Sequence, residues 1–574
     1  MKFTVLLLSS VALATTLGVV CGYLPIGLTP VSAATCLALG FLFALLGLLF
    51  SPGPWFKRFE TIQASGLLMI AVFSAFALFA FSQLIFVDND IVKVLSPNNL
   101  GDICLHLTHI NYLASSPHFW PENPIFAFDQ LHYPFATNLF NAELKLVGVE
   151  AGLGIILFAL VFALATLRTL FAFGGPFAVA TFLFNGGLAG FAFFRTLELA
   201  DYQAELAWKS IPLALFVTQR GLLFAIPAGL VLITHWRAVL NNQTRPCTLP
   251  GWAECLLYCT MPFFHLHTFL FLSFLLLWWF LFGPAYLRVR FLRLVLLSLV
   301  PASFFAFSVT GLQTHGAVAW EPNWMCEPSE SPWWFWTFNF GLLLPLAAAL
   351  AIYLAWPQPD VFEQRKRLRL ILYPAIVVFC ACGLFRFAPW NWDNTKLFLW
   401  AYLLIMIAIW EGLLADFHLL LRIPIIFGLF ASGAISFIGG LVPPPGSYGY
   451  EIGKLSEWQQ VAAALAHFSP ATVFATYPTY NHPVLVSGHR VVLGFPGHLW
   501  SHGLPYRPYE TELDQMMEGD DNWQELATQL KADYLFWGPL EEKNYPGSTR
   551  PWENVCPLVA QGSWGKLYDL RGHR

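Results

Sequence analysis

Apolar runs about 20 residues long, enough for one helix to cross a bilayer, recur along the first 442 residues. They cover 4–22, 31–50, 64–87, 151–173, 176–194, 221–240, 291–311, 332–356, 370–388, 397–417 and 419–442. A further apolar stretch, 255–284, is long for one span and short for two. Pro262 is expected to break it into two shorter helices. Three polar segments interrupt the pattern: 88–150, 195–220 and the C-terminal 443–574. Pro443, Pro444, Pro445 and Gly446 make a stiff joint between 1–442 and that last segment. Beyond the joint, 472–477, 484–493 and 533–537 read as strands. Residues 523–530 read as a helix, with Asn522 as N-cap and Glu525 three residues on. This alternation predicts a small α/β domain.

Composition supports the membrane reading. The chain is 57% hydrophobic and 11% charged, against about 25% charged in soluble domains. Its 55 Phe and 23 Trp suit lipid-facing helices with interfacial belts. A net charge of −4 without a basic stripe excludes a nucleic-acid partner. The basic residues orient the spans. Lys57, Arg58, Arg237, Arg245, Arg288, Arg290, Arg293, the cluster 365–369 and Arg422 belong on the cytoplasmic side. Arg237 and Arg288 share a side only if 255–284 goes out and back. The expectation is about thirteen crossings of a plasma (inner) membrane, N-terminus inside, with the C-terminal domain extracytoplasmic. The first run is read as a retained helix, because Val20 is too large to precede a lipoprotein cleavage at Cys21. The ten Cys show no metal spacing; Cys104, Cys326 and Cys556 fall in outer segments, where the pairing of any two stays open.

Candidate chemistry gathers in the outer segments. In a helix, Asp102, His106 and His109 share one face at spacings of four and three, a carboxylate beside imidazoles that suits a general base. Asp88 and Asp90, where a span exits, form an acid-x-acid pair able to hold a divalent ion with phosphate oxygens. The loop continues with prolines and aromatics, Tyr133 and Pro134 among them, that fix irregular backbone where it lines a cavity. Arg386 lies just inside a span at a cost of ~2.5–3.5 kcal/mol, which either Asp393 or a bound phosphate offsets, with Lys396 assisting. His265 and His267 sit near the tip of the 255–284 hairpin, placed to reach the outer cavity. His498 and His502 are four apart, but flanking glycines argue against a helix there. The segment reads as a Gly/His-rich loop, structural or closing over substrate.

The chain resembles GT-C superfamily glycosyltransferases. The resemblance is carried by Gly101-Asp102, Tyr133-Pro134, Trp392-Asp393-Asn394-Thr395-Lys396 and the α/β domain after the last span. More narrowly it is similar to a group of bacterial membrane proteins whose C-terminal domains end much like 533–541. The resemblance implies a transferase that takes a sugar from a polyprenyl-phosphate carrier and passes it, with inversion, to a glycan, lipid or protein acceptor on the outer face. Asp102 is implied as base. Arg386 and Lys396 are implied to stabilise the leaving phosphate. Asp393, Asn394, His106, His109, Tyr133, His265 and His267 would complete the substrate site. Membrane lipids surround it, and a divalent metal (Mg or Mn) at Asp88 and Asp90 is a possible cofactor, since members of the superfamily differ on this point. The family's acid usually follows the first span, whereas Asp102 follows the third; two additional N-terminal spans account for the offset. A non-catalytic sensor or assembly protein, or a lipid-linked glycan transporter, is the alternative. A transporter should carry ionisable groups at mid-membrane and two-half symmetry, which the chain lacks.

Overall fold

The structure is a computed structural model that describes residues 2–51, 63–204, 206–240, 249–311, 318–327, 329–356, 362–442 and 448–572. Lys57, Arg58, Arg245 and the Pro443–Gly446 joint lie outside the described residues. Among the described residues, nine helices are long and apolar enough to cross a membrane: Lys2–Tyr23, Pro30–Leu49, Ala64–Ser82, Ala151–Leu183, Arg220–Leu240, Ala285–Thr310, Arg365–Leu384, Asn391–Leu414 and Leu419–Leu441. Pro332–Phe340 and Leu343–Ala355 make a tenth element, bent by 92°. The protein is a multi-pass α-helical membrane protein with a C-terminal α/β region. Leu296, Leu297, Leu299 and Val300 are exposed on the outside of one such helix, as a lipid-facing surface requires.

Contacts sort the helix ends. Lys2 Nζ donates to the Ser51 carbonyl at 2.8 Å, and Trp252 Nε1 to the Gly47 carbonyl at 3.3 Å. Glu254 accepts from Trp236 Nε1 at 2.8 Å and pairs with Arg290 at 3.0 Å. Arg237 pairs with Glu411 at 2.7 Å. These groups define one basic end of the bundle. The 255–284 stretch leaves this end, breaks between Gly251–Cys259, Met261–Phe264 and Leu266–Phe282, and returns to place Trp279 Nε1 on the Leu370 carbonyl at 2.7 Å. At its far point Phe264 abuts Gly221, at the opposite end of Arg220–Leu240. The stretch therefore goes out and back.

Residues 176–194 do not form the single continuous helix expected, though the chain runs from Trp410, beside Phe177, to Phe437, beside Phe184. A 33-residue helix, Ala151–Leu183, is kinked at Gly174 and Gly175 (φ +63°) ahead of Pro176, and its second limb stops at Leu183. Only short turns, Ala189–Ala192 and Phe193–Thr196, follow. Asn185 explains the stop: its side chain donates to the Lys209 carbonyl at 2.9 Å and accepts from Ile211 N at 2.6 Å, stitching loop to loop instead of extending a helix.

The C-terminal region carries a five-stranded mixed sheet in the spatial order Arg490–Val491, Val473–Ala475, Tyr534–Trp537, Gly565–Asp569, Leu558–Gly562. The first three strands run parallel, and the last two form an antiparallel hairpin. The strand expected over 484–493 is largely replaced. Pro483–Val486 is a helical turn, capped by His482, which accepts from Val484 N at 3.2 Å. Gly488 (φ +92°) ends the turn, and only Arg490–Val491 is extended. The helix Trp523–Gln529 forms as expected, but Asn522 makes no side-chain cap. Buried Glu541 accepts from Tyr477 N at 2.8 Å, Gly538 N at 2.9 Å and His482 Nε2 at 3.0 Å, tying three loops beneath this sheet.

Two joints lock this region to the membrane bundle. Phe86–Asp88, Ile91–Val94 and Tyr450–Lys454 pair as an antiparallel three-stranded sheet, so the long loop after the third helix is bonded to the chain just beyond the last span. Leu105, Ile125, Phe126 and Ala127 of that loop are buried in the C-terminal core. Cys104, Cys326 and Cys556 are all free thiols.

Candidate functional site

The helix Leu100–Ala114 follows a 3-10 turn at Pro97–Asn99 and carries Asp102 in its first turn, where a carboxylate is favoured by the helix dipole. Asp102, His106 and His109 share a face of it, as their spacing predicts. That face lies under protein. His106 and His109 are buried, while Asp102 keeps a solvent-reached edge in an otherwise enclosed cleft. Asn138 bridges the two imidazoles: its Oδ1 is 3.1 Å from His106 Nδ1 and its Nδ2 is 3.2 Å from His109 Nδ1. With the amide donating, His109 Nδ1 accepts and its proton sits on Nε2, which has no partner.

The C-terminal region supplies the roof. Pro496–Ser501 is a helix despite its glycine, so His498 and its C-cap His502 project together. His498 Nε2 lies 2.9 Å from where a Cβ on Gly101 would stand, an approach only glycine allows beside Asp102. The Tyr133 ring is held between His109 and His502, with centroids 5.3 and 5.1 Å away. The fourth wall is the turn Asn391–Asn394 and the helix start that follows. There Lys396 Nζ pairs with Asp393 Oδ1 at 2.9 Å.

Electrostatics make these groups one cluster. Burial pushes the Asp102 carboxyl up from 3.8 to about 7; the Lys396 charge opposes this and the Asp393 charge adds to it. Burial pushes His109 and His498 down to about 3, and His502 to about 4. The Tyr133 hydroxyl is pushed up by burial and by Asp102 and Asp393. His265 and His267, ring centroids 5.7 Å apart at the hairpin tip, lie within electrostatic reach of Lys396. At neutral pH the site thus holds uncharged imidazoles, one lysine–aspartate pair, and one carboxyl poised at its titration point.

Three expectations are corrected. Asp393 pairs with Lys396, not Arg386. Arg386 instead meets Glu321 at 3.4 Å, the Pro389 carbonyl at 3.0 Å and Asn391 Oδ1 at 3.2 Å, and is not among the charges acting on Asp102, His498 or His502. Asn394 is fully buried. It accepts from Phe387 N and donates to the Cys382 and Phe385 carbonyls, so it holds the loop and does not face a ligand. Asp88-Asn89-Asp90 is a hairpin turn. Asn89 and Asp90 take positive φ (50° and 72°), Asp88 pairs with Lys93 at 2.7 Å, and Asp90 accepts from Ser456 N at 2.9 Å and Ser456 Oγ at 2.5 Å. Both carboxylates are engaged by protein, and among the described residues no group of three or more His, Cys, Asp or Glu is arranged to hold a metal ion. These residues do not fit a divalent site.

Asn138 and Arg220 join the cluster without any sequence signal that singled them out. Arg220 opens an apolar run and is 2% exposed; its charge acts on His106.

No family model matches the chain, and no curated protein matches it. Among solved structures, the chain is similar to an Archaeoglobus fulgidus oligosaccharyltransferase tethered to an acceptor peptide. Identity is 10% and the TM-score 0.40, over 89% of this chain and 74% of that one. It is also similar to the apo form of that enzyme, at 11% identity and a TM-score of 0.41, over 84% of this chain and 70% of that one.

Proposed function

We propose that this chain is a GT-C-type glycosyltransferase that moves a sugar from a polyprenyl-phosphate carrier to an acceptor hydroxyl at the outer face of the plasma membrane. In this reading residues 443–574 form an extracytoplasmic domain that roofs the site. The observation that carries it is Asp102: a carboxyl held at about 7 in an enclosed cleft, ringed by neutral imidazoles, with Lys396 opposite. A base titrating near neutrality combines adequate ionisation with adequate proton affinity.

In the reaction, Asp102 takes the acceptor hydroxyl proton as that oxygen bonds the anomeric carbon. The bond from that carbon to the carrier phosphate breaks, and its electron pair leaves on the phosphate. Attack from the side opposite the phosphate inverts the centre. Lys396 offsets the charge that grows on the leaving phosphate, an effect strengthened where water is scarce. Neutral imidazoles at His109, His498 and His502 offer N–H donors and ring acceptors to sugar hydroxyls at little electrostatic cost. An apolar groove of about 430 Å³, lined by Trp333, Trp336, Leu344, Phe379 and Leu384, reaches Gly383, next to the Cys382 carbonyl that Asn394 holds. It suits a prenyl chain.

The test is a panel of prenyl-monophosphate hexoses and pentoses offered to the full chain in lipid discs. Transfer is followed by release of prenyl phosphate, and the product anomer by NMR. An inverted product supports the reading. Retention, or no release from any donor, refutes it.

A further inference from the structure

The first two helices, Lys2–Tyr23 and Pro30–Leu49, form an antiparallel hairpin. Lys2 Nζ reaches the Ser51 carbonyl at one end, and the turn 24–29 joins the helices at the other. That turn is fixed by its own bonds. Leu24 N donates to the Cys21 carbonyl at 3.0 Å, and Thr29 and Ser32 close a capping box at the start of the second helix. The two backbones run close together: a Cβ on Gly40 would stand 2.8 Å from Ala14 N and from the Ser10 carbonyl oxygen.

Cys21 lies in the last turn of the first helix and Cys36 in the second turn of the second. Helical side chains lean toward the N-terminus of their own helix, so in an antiparallel pair these two lean toward one another. Their Sγ atoms stand 3.6 Å apart, at van der Waals contact, and both thiols are free. Cys36 is 2% exposed and Cys21 is half-buried, so a reagent reaches Cys21 first. The turn also supports the loop that carries Tyr133. Leu28 N donates to Ser116 Oγ at 2.9 Å, and Phe119 N donates to the Gly22 carbonyl at 3.1 Å. The Phe119 ring in turn lies 6.1 Å from the ring of Phe135.

We infer that Cys21 and Cys36 are a disulfide-forming pair that staples this hairpin by exchange with an external disulfide. Cys21, as the thiolate, attacks one sulfur of the oxidant and displaces the other as a thiolate, which takes up a proton. Cys36 then loses its proton and attacks Cys21 Sγ. The second oxidant sulfur leaves as a thiolate and is protonated. Two cysteine thiols are oxidised, and one disulfide is reduced to two thiols. The new bond closes a loop of 15 residues and so removes freedom from the unfolded chain. That this end of the bundle meets an oxidising compartment rests on the outward orientation proposed above. The exchange itself needs neither that orientation nor sugar transfer.

The experiment incubates the full chain in lipid discs with oxidised glutathione, blocks free thiols by alkylation, and maps unreduced digests by mass spectrometry. The peptides of Cys21 and Cys36 are expected to be joined, with the loss of both thiol hydrogens. The oxidised chain is expected to melt about 3 °C or more above the reduced chain. C21A and C36A should each lose the link and the dependence of melting on oxidation. Recovery of both cysteines alkylated, or each carrying glutathione, overturns the pair, as does melting that ignores oxidation. The joined peptide is read in the wild type, so it decides the matter even if neither variant folds. Membranes whose thiols are blocked at lysis separate the two readings. A pair that links in glutathione but is reduced in the membrane leaves the staple standing and refutes the outward orientation of this end. A linked pair in a chain that transfers no sugar leaves the staple standing and refutes the transferase.

Discussion

The ring of Tyr133, in the long loop after the third helix, lies 5.1 Å, centroid to centroid, from the ring of His502, in the C-terminal region. This contact closes the cleft over Asp102 from above. His502 keeps a solvent-reached edge and, among the described residues, makes no hydrogen bond through its ring, so its loss leaves the sheet behind it intact. H502A is expected to melt within a few degrees of the wild type and to raise KM for the acceptor about tenfold with a smaller fall in kcat. Calorimetry and steady-state kinetics check both. An unchanged KM would assign His502 to packing alone.

Lys396 and Asp393 pull the Asp102 carboxyl in opposite directions. Removing Lys396 removes a charge that lowers it, so K396A should move the acid limb of the pH–rate profile to higher pH. Removing Asp393 removes a charge that raises it, so D393N should move the limb to lower pH. Profiles of kcat/KM for the two variants check the signs. K396A should also weaken donor binding more than acceptor binding, because its charge serves the phosphate.

Asn394, itself buried, makes three hydrogen bonds inside the loop 382–394. N394A leaves one amide and two carbonyls without that partner, at about 2–4 kcal/mol. Thermal melting should show the loss, and KM measured well below the melting temperature should be almost unchanged. A large KM effect at full stability would return Asn394 to the ligand site.

Stability should also respond to Asp102 itself. Its carboxyl titrates at about 7 in the folded chain against 3.8 ordinarily. Between these values the folded state holds the proton more tightly than the unfolded state, so stability falls as pH rises through the window and stays lower above it. D102N removes the titration. Its melting temperature relative to wild type should therefore be higher at pH 8 than at pH 4, and an equal difference at both would show that Asp102 is not held protonated.

Much of the bundle was legible because apolar length is a direct physical demand of the bilayer. The out-and-back hairpin was legible through Pro262 and the arginines either side of it. The Asp102–His106–His109 face followed from helical spacing alone. The failures share a cause: one residue pattern serves two physical ends. Asp88-Asn89-Asp90 has the acids of a metal site and the left-handed tolerance of a hairpin turn, and its pairing strand at 450–454 is far away in sequence. Asn394 has the polarity of a ligand group, yet its partners are backbone carbonyls that no side-chain pattern reveals. Arg386 found Glu321, a distant loop residue. The apolar content of 176–194 satisfied a span, but Asn185 and the glycines beside it drew the backbone into loop contacts. A helix at His498 is not expected because glycine weakens helices, whereas burial against Gly101 and Tyr133 supplies the missing stability. Arg220 stood at the edge of an apolar run, and nothing local distinguishes a snorkelling arginine from an enclosed one.

The most direct measurement is the rate of sugar transfer from a prenyl-monophosphate donor by wild type and D102N, in lipid discs, from about pH 5 to about pH 9. The wild type is expected to rise along a limb centred at about 7, and folded D102N to fall about 100-fold or more and to lose that limb. A folded D102N that transfers sugar at the wild-type rate along the same limb would contradict Asp102 as the base.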